Sequence, residues 1–203
     1  MKEIFLLRHG ETEWNRLGLG QDLKSRNDTE LNEIGIEQSE LTGNYFRDYK
    51  LKEGQFDLIL CSPLKRTKKT AEIIAKKINI DHNKIIYMNE LLERDKELYK
   101  KYKYEPNENM RKRINFVIEY IKKINGKKIL IVSHGGTIKT MVYMLSGIKP
   151  IANYKYSRNC HITYFLYNNN QFQLLYHPNT LHFGIYGKDY INDRNDYIYK
   201  RND

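Results

Sequence analysis

The stretch Leu6-Leu7-Arg8-His9-Gly10-Glu11-Thr12 directly follows the apolar pair Ile4-Phe5 near the N-terminus. An apolar run of this length predicts a buried strand, at about 3–7. Such a strand ends in a guanidinium and an imidazole, on the loop where open α/β sheets bind their ligands. A neutral imidazole can attack phosphorus while a neighbouring guanidinium holds the phosphate oxygens.

Strand and helix patterns alternate along the rest of the chain, which predicts a mostly parallel sheet covered by helices. The fold class that follows is a three-layer α/β/α sandwich with a mostly parallel central sheet. An Asn-rich turn joins the last two strands and indicates a hairpin. The predicted strands are 57–61, 85–88, 128–133, 161–167 and 172–176, and the predicted helices are 32–49, 64–78, 108–124 and 135–145.

Composition limits the classes of protein that the chain can represent. Its 203 residues are 40% hydrophobic and 30% charged, which favours one globular domain, placed at 1–183, with a polar Tyr-rich appendage at 184–203. No apolar run approaches the roughly 20 residues of a membrane helix, so no membrane partner is expected. Two cysteines, Cys61 and Cys160, are too few for a disulfide framework, and a cytoplasmic location is expected.

The net charge of +10 is spread along the chain without a basic stripe interleaved with aromatic residues. Nucleic acid is therefore not an expected partner. The charge could also suit an anionic membrane or a small anionic substrate, but lysines scattered over solvated helix faces explain it better.

Three of the predicted strands end in cationic or reactive side chains. If these strands are parallel, their following loops open at one end of the sheet. Two imidazoles and two guanidiniums would then meet in one cleft of the size of an anion. The three strand ends are Arg8-His9-Gly10, Ser62-Pro63-Leu64-Lys65-Arg66 and Ser133-His134-Gly135-Gly136.

This set of side chains suits phosphoryl transfer, which depends on placement and on stabilisation of charge. Arg8, Arg66 and a protonated His134 would supply the positive charge, and Asn15 could add a neutral donor. His9 must be neutral to attack, and adjacent cations should lower its pKa. A backbone carbonyl that accepts from Nδ1–H would leave Nε2 as the attacking nitrogen.

The leaving alkoxide needs a proton, and two carboxyl groups follow the third predicted strand. These are Glu90 and Glu93, and either could serve as the acid if partly buried near the phosphate. Their spacing does not choose between them.

The order of these motifs resembles the histidine phosphatase superfamily, the phosphoglycerate mutase-like clan. The resemblance covers most of the chain and favours Glu93 over Glu90 as the proton donor. At Asp95-Lys96-Glu97 the sequence departs from the family, which usually has a glycine there. The segments that carry the resemblance are 7–15, Gly20-Gln21, 31–35, Ser62–Thr67 with Thr70-Ala71, Leu92–Asp95 and Ser133–Gly136.

The resemblance implies a role for each matched residue. His9 would form a phosphohistidine, while Glu93 would act first as acid and then as the base that activates water. Phosphate binding and transition-state stabilisation would fall to Arg8, Arg66 and His134. No metal or other cofactor is implied, and the residues lining the pocket would be Gly10, Thr12, Asn15, Gln21 and Gly135.

Three functions remain open at this point. Mutases of the clan carry a large insertion between donor and second histidine, whereas here segment 94–133 is short, so a phosphatase acting on a small phosphorylated substrate is predicted. The alternatives are mutase-type phosphoryl transfer and a non-catalytic module that recognises phosphate. The physiological substrate and the oligomeric state stay open. The remaining histidines, expected to be structural or superficial, are His82, His161, His177 and His182.

Overall fold

The computed structural model describes residues 1–19, 21, 28–50, 55–94, 107–147 and 158–188. Within these ranges six strands form one sheet. They are β1 (Lys2–Arg8), β2 (Leu58–Cys61), β3 (Ile85–Tyr87), β4 (Lys128–Ser133), β5 (Ile162–Asn168) and β6 (Gln171–Asn179). Their order across the sheet is β3-β2-β4-β1-β5-β6.

The four strands on one side of the sheet are parallel, as the alternation of strands and helices predicts. β1 and β2 both pair with β4 in parallel, and β2 pairs in parallel with β3. β5 runs antiparallel to β1, and β6 runs antiparallel to β5. The predicted Asn-rich turn joins this hairpin, with Asn169 and Asn170 at φ values of 48° and 60°. Asparagine tolerates this left-handed conformation better than most residues do.

The helices lie close to their predicted positions, and a short first helix comes in addition. They are α1 (Glu13–Arg16), α2 (Glu33–Tyr45), α3 (Lys65–Lys77), α4 (Asn107–Lys123) and α5 (Gly135–Ser146). α2 continues as a π-helix over Phe46–Lys50, and 3₁₀ helices span His82–Lys84, Asn89–Leu91 and Leu181–Tyr186. None of the helices in the described ranges is long and apolar enough to span a membrane.

Side chains of the central strands alternate between two hydrophobic clusters, one on each face of the sheet. On β1, Ile4 and Leu6 pack in the cluster that contains the apolar residues of α4 and α5. Phe5 and Leu7 pack in the other cluster, with Ile74 of α3. The predicted three-layer α/β/α arrangement is confirmed, and it leaves the carboxyl ends of the parallel strands at one edge.

Three predictions from the sequence fall wholly or partly outside the described residues. They concern Gly20, the departure at Asp95-Lys96-Glu97, and most of the proposed appendage, of which 189–203 lie outside. The 3₁₀ helix Leu181–Tyr186 runs across the proposed boundary between residues 183 and 184.

Candidate active site

The parallel strands end level with one another, which brings the two motif histidines together. The register pairs Arg8 with Ser133, so His9 and His134 each follow at the same height of the sheet. Their ring centroids lie 5.3 Å apart, with the ring planes inclined by 60°. Side chains far apart in sequence thus meet at the edge where parallel sheets bind ligands.

His9 is buried, and one of its two nitrogens has a hydrogen-bond partner in its own loop. Its Nδ1 lies 2.7 Å from the carbonyl oxygen of Gly10, which can only accept, so Nδ1 carries the proton. Burial, together with the charges of Arg66 and Arg8, holds the pKa of His9 well below its ordinary value of 6.5. The ring is therefore neutral, with the Nε2 lone pair free of a proton, as the sequence analysis expects.

His134 is fully buried, and its environment bears on its charge. Its Nε2 lies 2.8 Å from the Ser62 hydroxyl. Burial is the largest cause that holds the pKa of His134 well below 6.5, and Arg66 and Arg8 add to it. This favours the neutral imidazole in the unliganded protein, because a buried cation beside two guanidiniums is strongly disfavoured, and the protonated His134 expected with phosphate bound stays a prediction. Until a dianionic ligand enters, the arginines alone supply the positive charge.

The two arginines reach the histidines from different elements. Arg8 is the last residue of β1, and Arg66 is the second residue of α3 with only 1% of its side chain exposed. Asp28 steadies this helix start: its Oδ1 accepts from the backbone N–H of Lys65 at 2.8 Å and lies 4.0 Å from Nη1 of Arg66. Since Leu64 gives α3 no side-chain cap, Asp28 takes that place from a distant loop.

Glu93 stands at the N-terminus of α5, beside the second histidine. Its Oε2 accepts from the backbone N–H of Gly136 at 3.2 Å, and its Oε1 accepts from the N–H of Arg94 at 2.9 Å. Arg113 of α4 ties this segment down, because its Nη1 donates to the carbonyl oxygens of Glu90 and Leu92. Of the two candidate acids, Glu93 has its carboxyl group held next to the His134 loop.

Gly136→Ala is expected to displace Glu93. A Cβ at this position would lie 2.6 Å from Glu93 Oε1 and 3.1 Å from Arg94 Cδ, so the carboxyl group must move. We expect kcat for an alkyl phosphate to fall about 10- to 100-fold, the range in which a misplaced general acid acts. The loss should shrink for p-nitrophenyl phosphate, whose leaving group needs little help from an acid.

The control for this variant is Gly184→Ala, because a Cβ at Gly184 meets no atom within 4 Å. Its kcat should equal that of the wild type. Equal losses of activity toward both substrates in Gly136→Ala would contradict the assignment of Glu93 as the acid.

Three of the remaining motif residues, Thr12, Asn15 and Gln21, are linked by hydrogen bonds after β1, and Gly135 lies after β4. Thr12 caps α1, because its hydroxyl accepts from the N–H of Asn15 at 3.1 Å. Gln21 donates from Nε2 to the same hydroxyl and accepts from Thr29 at 2.7 Å. Thr12 is fully buried and the two amides are partly buried. Gly135 is the first residue of α5, directly after His134.

The glycine of the Arg-His-Gly motif is needed for close packing. A Cβ at Gly10 would lie 2.4 Å from the carbonyl oxygen of Gly35 in α2, and a Cβ at Gly35 would lie 2.0 Å from that of Glu11. The N–H of Gly10 donates to the hydroxyl of Thr70 in α3 at 3.0 Å. Two glycines therefore let α2 and the loop touch, which fixes the loop against both helices.

Two residues of the site were not assigned a role from the sequence. Ser62 could have been found, because it follows β2 at the level of His134. Asn159 could not, since no strand or helix pattern places it; it is 2% exposed, and its Nδ2 lies 3.0 Å from each of three oxygens. These are the carbonyl oxygens of His9 and Gly10 and Oδ1 of Asn15.

Two further histidines, His161 and His182, are buried and hydrogen-bond to groups other than the two motif histidines, and their structural role stays a prediction. Nδ1 of His161 donates to the carbonyl oxygen of Arg158 at 2.7 Å, and Nε2 of His182 lies 3.0 Å from the Thr42 hydroxyl. His82 is exposed. Within the described ranges, no group of three or more His, Cys, Asp or Glu side chains is arranged to hold a metal ion.

The folded protein is expected to lose stability in acid. Burial lowers the pKa of His161 to about 4 and that of His182 to about 3, from 6.5. Below about pH 6.5 the unfolded chain binds protons that the folded chain does not, so the free energy of unfolding falls as the pH drops toward these values. Each residue should contribute up to about 1.4 kcal/mol per pH unit.

Urea unfolding between about pH 7 and pH 5 measures this loss. His182→Gln should reduce the dependence on pH, whereas a His82→Gln control should leave it unchanged. An unfolding free energy that stays constant over this interval would contradict the expectation.

Comparison with known proteins identifies the family. The model of the histidine phosphatase superfamily (branch 1) matches residues 4–104 and 88–180. The chain belongs to the histidine phosphatase superfamily. The resemblance inferred from the motifs is therefore confirmed.

Individual relatives agree with this assignment. An uncharacterized phosphatase, PhoE, of Bacillus subtilis is 34% identical over 166 residues, covering 74% of this chain and 80% of its own. A phosphoserine phosphatase of Entamoeba histolytica, solved with 3-phosphoglyceric acid, has a TM-score of 0.70 at 27% identity, covering 90% of this chain and 99% of its own. A phosphoglycerate mutase of Bacillus anthracis has a TM-score of 0.75 at 19% identity, covering 92% and 97%, and shows the fold alone.

Proposed function

We propose that this member of the histidine phosphatase superfamily hydrolyses small phosphomonoesters through a phosphohistidine at His9. The observation that carries the proposal is the buried, neutral imidazole of His9. Its Nδ1–H donates to the Gly10 carbonyl oxygen, which leaves the Nε2 lone pair available. Two guanidiniums and a second imidazole surround it. The relationship to phosphatases agrees with this chemistry.

In the first step Arg8 and Arg66 hold the phosphate oxygens of the ester. The Nε2 lone pair of His9 attacks phosphorus, the bond from phosphorus to the ester oxygen breaks, and the proton of Glu93 goes to the leaving oxygen. The two arginines stabilise the charge on the transferring group, the largest contribution in reactions of this type.

In the second step the Glu93 carboxylate takes a proton from water. The water oxygen attacks phosphorus, the bond from phosphorus to Nε2 breaks, and inorganic phosphate leaves. His9 returns to its starting form, and its Nδ1–H stays hydrogen-bonded to the Gly10 carbonyl oxygen throughout. His134 can take up a proton once the anion is bound, because the anion offsets the charges of the neighbouring arginines.

Segment 94–133 favours a hydrolase over a mutase. Most of its described part belongs to the 17-residue α4 and the six-residue β4, both of which build the core. A mutase must keep water from the phosphoenzyme until an acceptor returns, and hydrolysis needs no such cover. The finer classification of the enzyme as a histidine acid-type phosphatase is part of the same proposal.

A panel of phosphomonoesters tests the proposal. It should include phosphoserine, 3-phosphoglycerate, sugar phosphates, nucleoside monophosphates and p-nitrophenyl phosphate, with release of inorganic phosphate as the readout. We expect steady release from at least one small ester. Conversion of 3- to 2-phosphoglycerate without release of phosphate would establish the mutase instead, and no turnover of any ester would favour a phosphate-binding module.

A further inference from the structure

Asn159 lies in the turn that precedes β5, directly against the loop that carries His9. Its side chain is 2% exposed, and its Nδ2 is 3.0 Å from the carbonyl oxygens of both His9 and Gly10. A buried carboxamide in contact with two successive carbonyl groups holds the backbone of that loop in one conformation.

The contact with Gly10 acts on the histidine ring itself. The Gly10 carbonyl oxygen accepts from Nδ1 of His9 and from Asn159, so both donors converge on one atom. Since this carbonyl decides which ring nitrogen carries the proton, whatever fixes the carbonyl also fixes the tautomer and the ring orientation.

The main chain alone supplies only part of this support. The backbone N–H of Cys160 donates to the carbonyl oxygens of Arg8 and His9, at 3.1 and 3.3 Å. The contact from this turn to the Gly10 oxygen comes from the Asn159 side chain. The carbonyl that matters most for the tautomer thus depends on a group that mutation can remove.

Asn159 also reaches a phosphate-binding candidate. Its Nδ2 contacts Oδ1 of Asn15, and the same oxygen accepts from the N–H of Thr12 at 3.3 Å. These two contacts fix which end of the Asn15 amide is oxygen, so its amino group is directed to the opposite side. One side chain therefore joins the nucleophile and a neutral donor of the site.

We propose that Asn159 is a positioning residue that sets the ring orientation and tautomer of His9 for attack. It acts through the carbonyl of Gly10 and does not touch the reacting phosphate. The proposal rests on the proposed function, since it presumes that His9 is the nucleophile.

Two variants test the proposal. Asn159→Ala removes the carboxamide, and Asn159→Asp keeps its shape while replacing the donor nitrogen by an acceptor oxygen. Both should lower kcat for p-nitrophenyl phosphate about 10- to 100-fold, as expected for a misplaced reacting group, with a smaller change in KM. Thr163→Val is the control, because Thr163 is equally buried on the adjoining strand and belongs to no part of the site; its kcat should equal that of the wild type.

Imidazole ¹⁵N NMR provides a readout that does not depend on turnover. The wild type should show His9 with its proton on Nδ1, and both Asn159 variants should show altered His9 signals, whereas Thr163→Val should not. Circular dichroism measures the folded fraction of each variant. Rates expressed per folded molecule then separate loss of positioning from loss of folding. Should one variant not fold, the other and the wild-type spectrum decide.

The outcomes distinguish the two proposals. Asn159→Asp with wild-type kcat and unchanged His9 signals would overturn the role of Asn159 while leaving hydrolysis intact. A wild-type spectrum with the His9 proton on Nε2 would overturn it as well. If the wild type hydrolyses no phosphomonoester, the proposed function fails, and the ¹⁵N signals still report whether Asn159 sets the tautomer.

Discussion

His9→Ala is expected to lower kcat about 10⁴- to 10⁶-fold for every phosphomonoester that the wild type hydrolyses. Removal of a catalytic nucleophile lowers kcat by this much, because the remaining groups cannot form the covalent intermediate. The substitution removes the Nε2 lone pair and leaves Arg8 and Arg66 in place. Steady-state release of phosphate with substrate in excess, for the wild type and for the variant, measures the effect.

Binding should survive the loss of turnover. With both guanidiniums present, the variant should bind inorganic phosphate within an order of magnitude of the wild type, as calorimetry can determine. His82→Ala, which removes an exposed histidine, is the control and should retain full activity. A His9→Ala protein with more than a few per cent of wild-type kcat would exclude His9 as the nucleophile.

Arg66→Met is expected to reduce kcat/KM about 10²- to 10³-fold, the range found when one preorganised donor to a developing charge is removed. The guanidinium is 1% exposed, so its charge acts in a medium that screens it little. Methionine fills a similar volume without the charge. Initial rates with p-nitrophenyl phosphate at several pH values measure the change.

The pH profile adds a second expected result. Arg66 is the first among the charged neighbours that lower the pKa of His9, so its removal should raise that pKa. With a higher pKa, the nucleophile is already protonated at a higher pH. The acid limb of the kcat/KM profile should therefore move to higher pH. Lys69→Met, which removes an exposed cation from the same helix, should change neither the rate nor the profile. An unshifted limb in Arg66→Met would contradict the electrostatic coupling.

Much of the site could be predicted because it lies at strand ends. The apolar runs before Arg8 and before His134 mark two strands, and parallel pairing makes them end level. Helix spacing places Arg66 at the start of α3, facing the same edge. Local sequence patterns therefore predict which loops meet, and the family motifs indicate which residues of those loops form the candidate site.

Other properties depend on contacts between distant segments. The neutral state of His134 follows from its complete burial near two guanidiniums, which charge counting cannot reveal. Glu93 has its orientation from Gly136, in a helix separated from it by the whole of α4 and β4. Asn159 contacts the loop that carries His9 from a turn that no strand or helix periodicity predicts. Substrate preference could not be predicted from the sequence either, since it depends on side chains from several loops.

The most direct test is to trap the covalent intermediate. Wild-type protein mixed with a fast phosphate ester should be denatured within milliseconds at alkaline pH, where a bond between phosphorus and an imidazole nitrogen survives. Mass spectrometry of the resulting peptides should then find one added phosphoryl group, on His9 and attached through Nε2. Turnover that releases phosphate while His9 stays unmodified, or a phosphoryl group on His134 instead, would contradict the account.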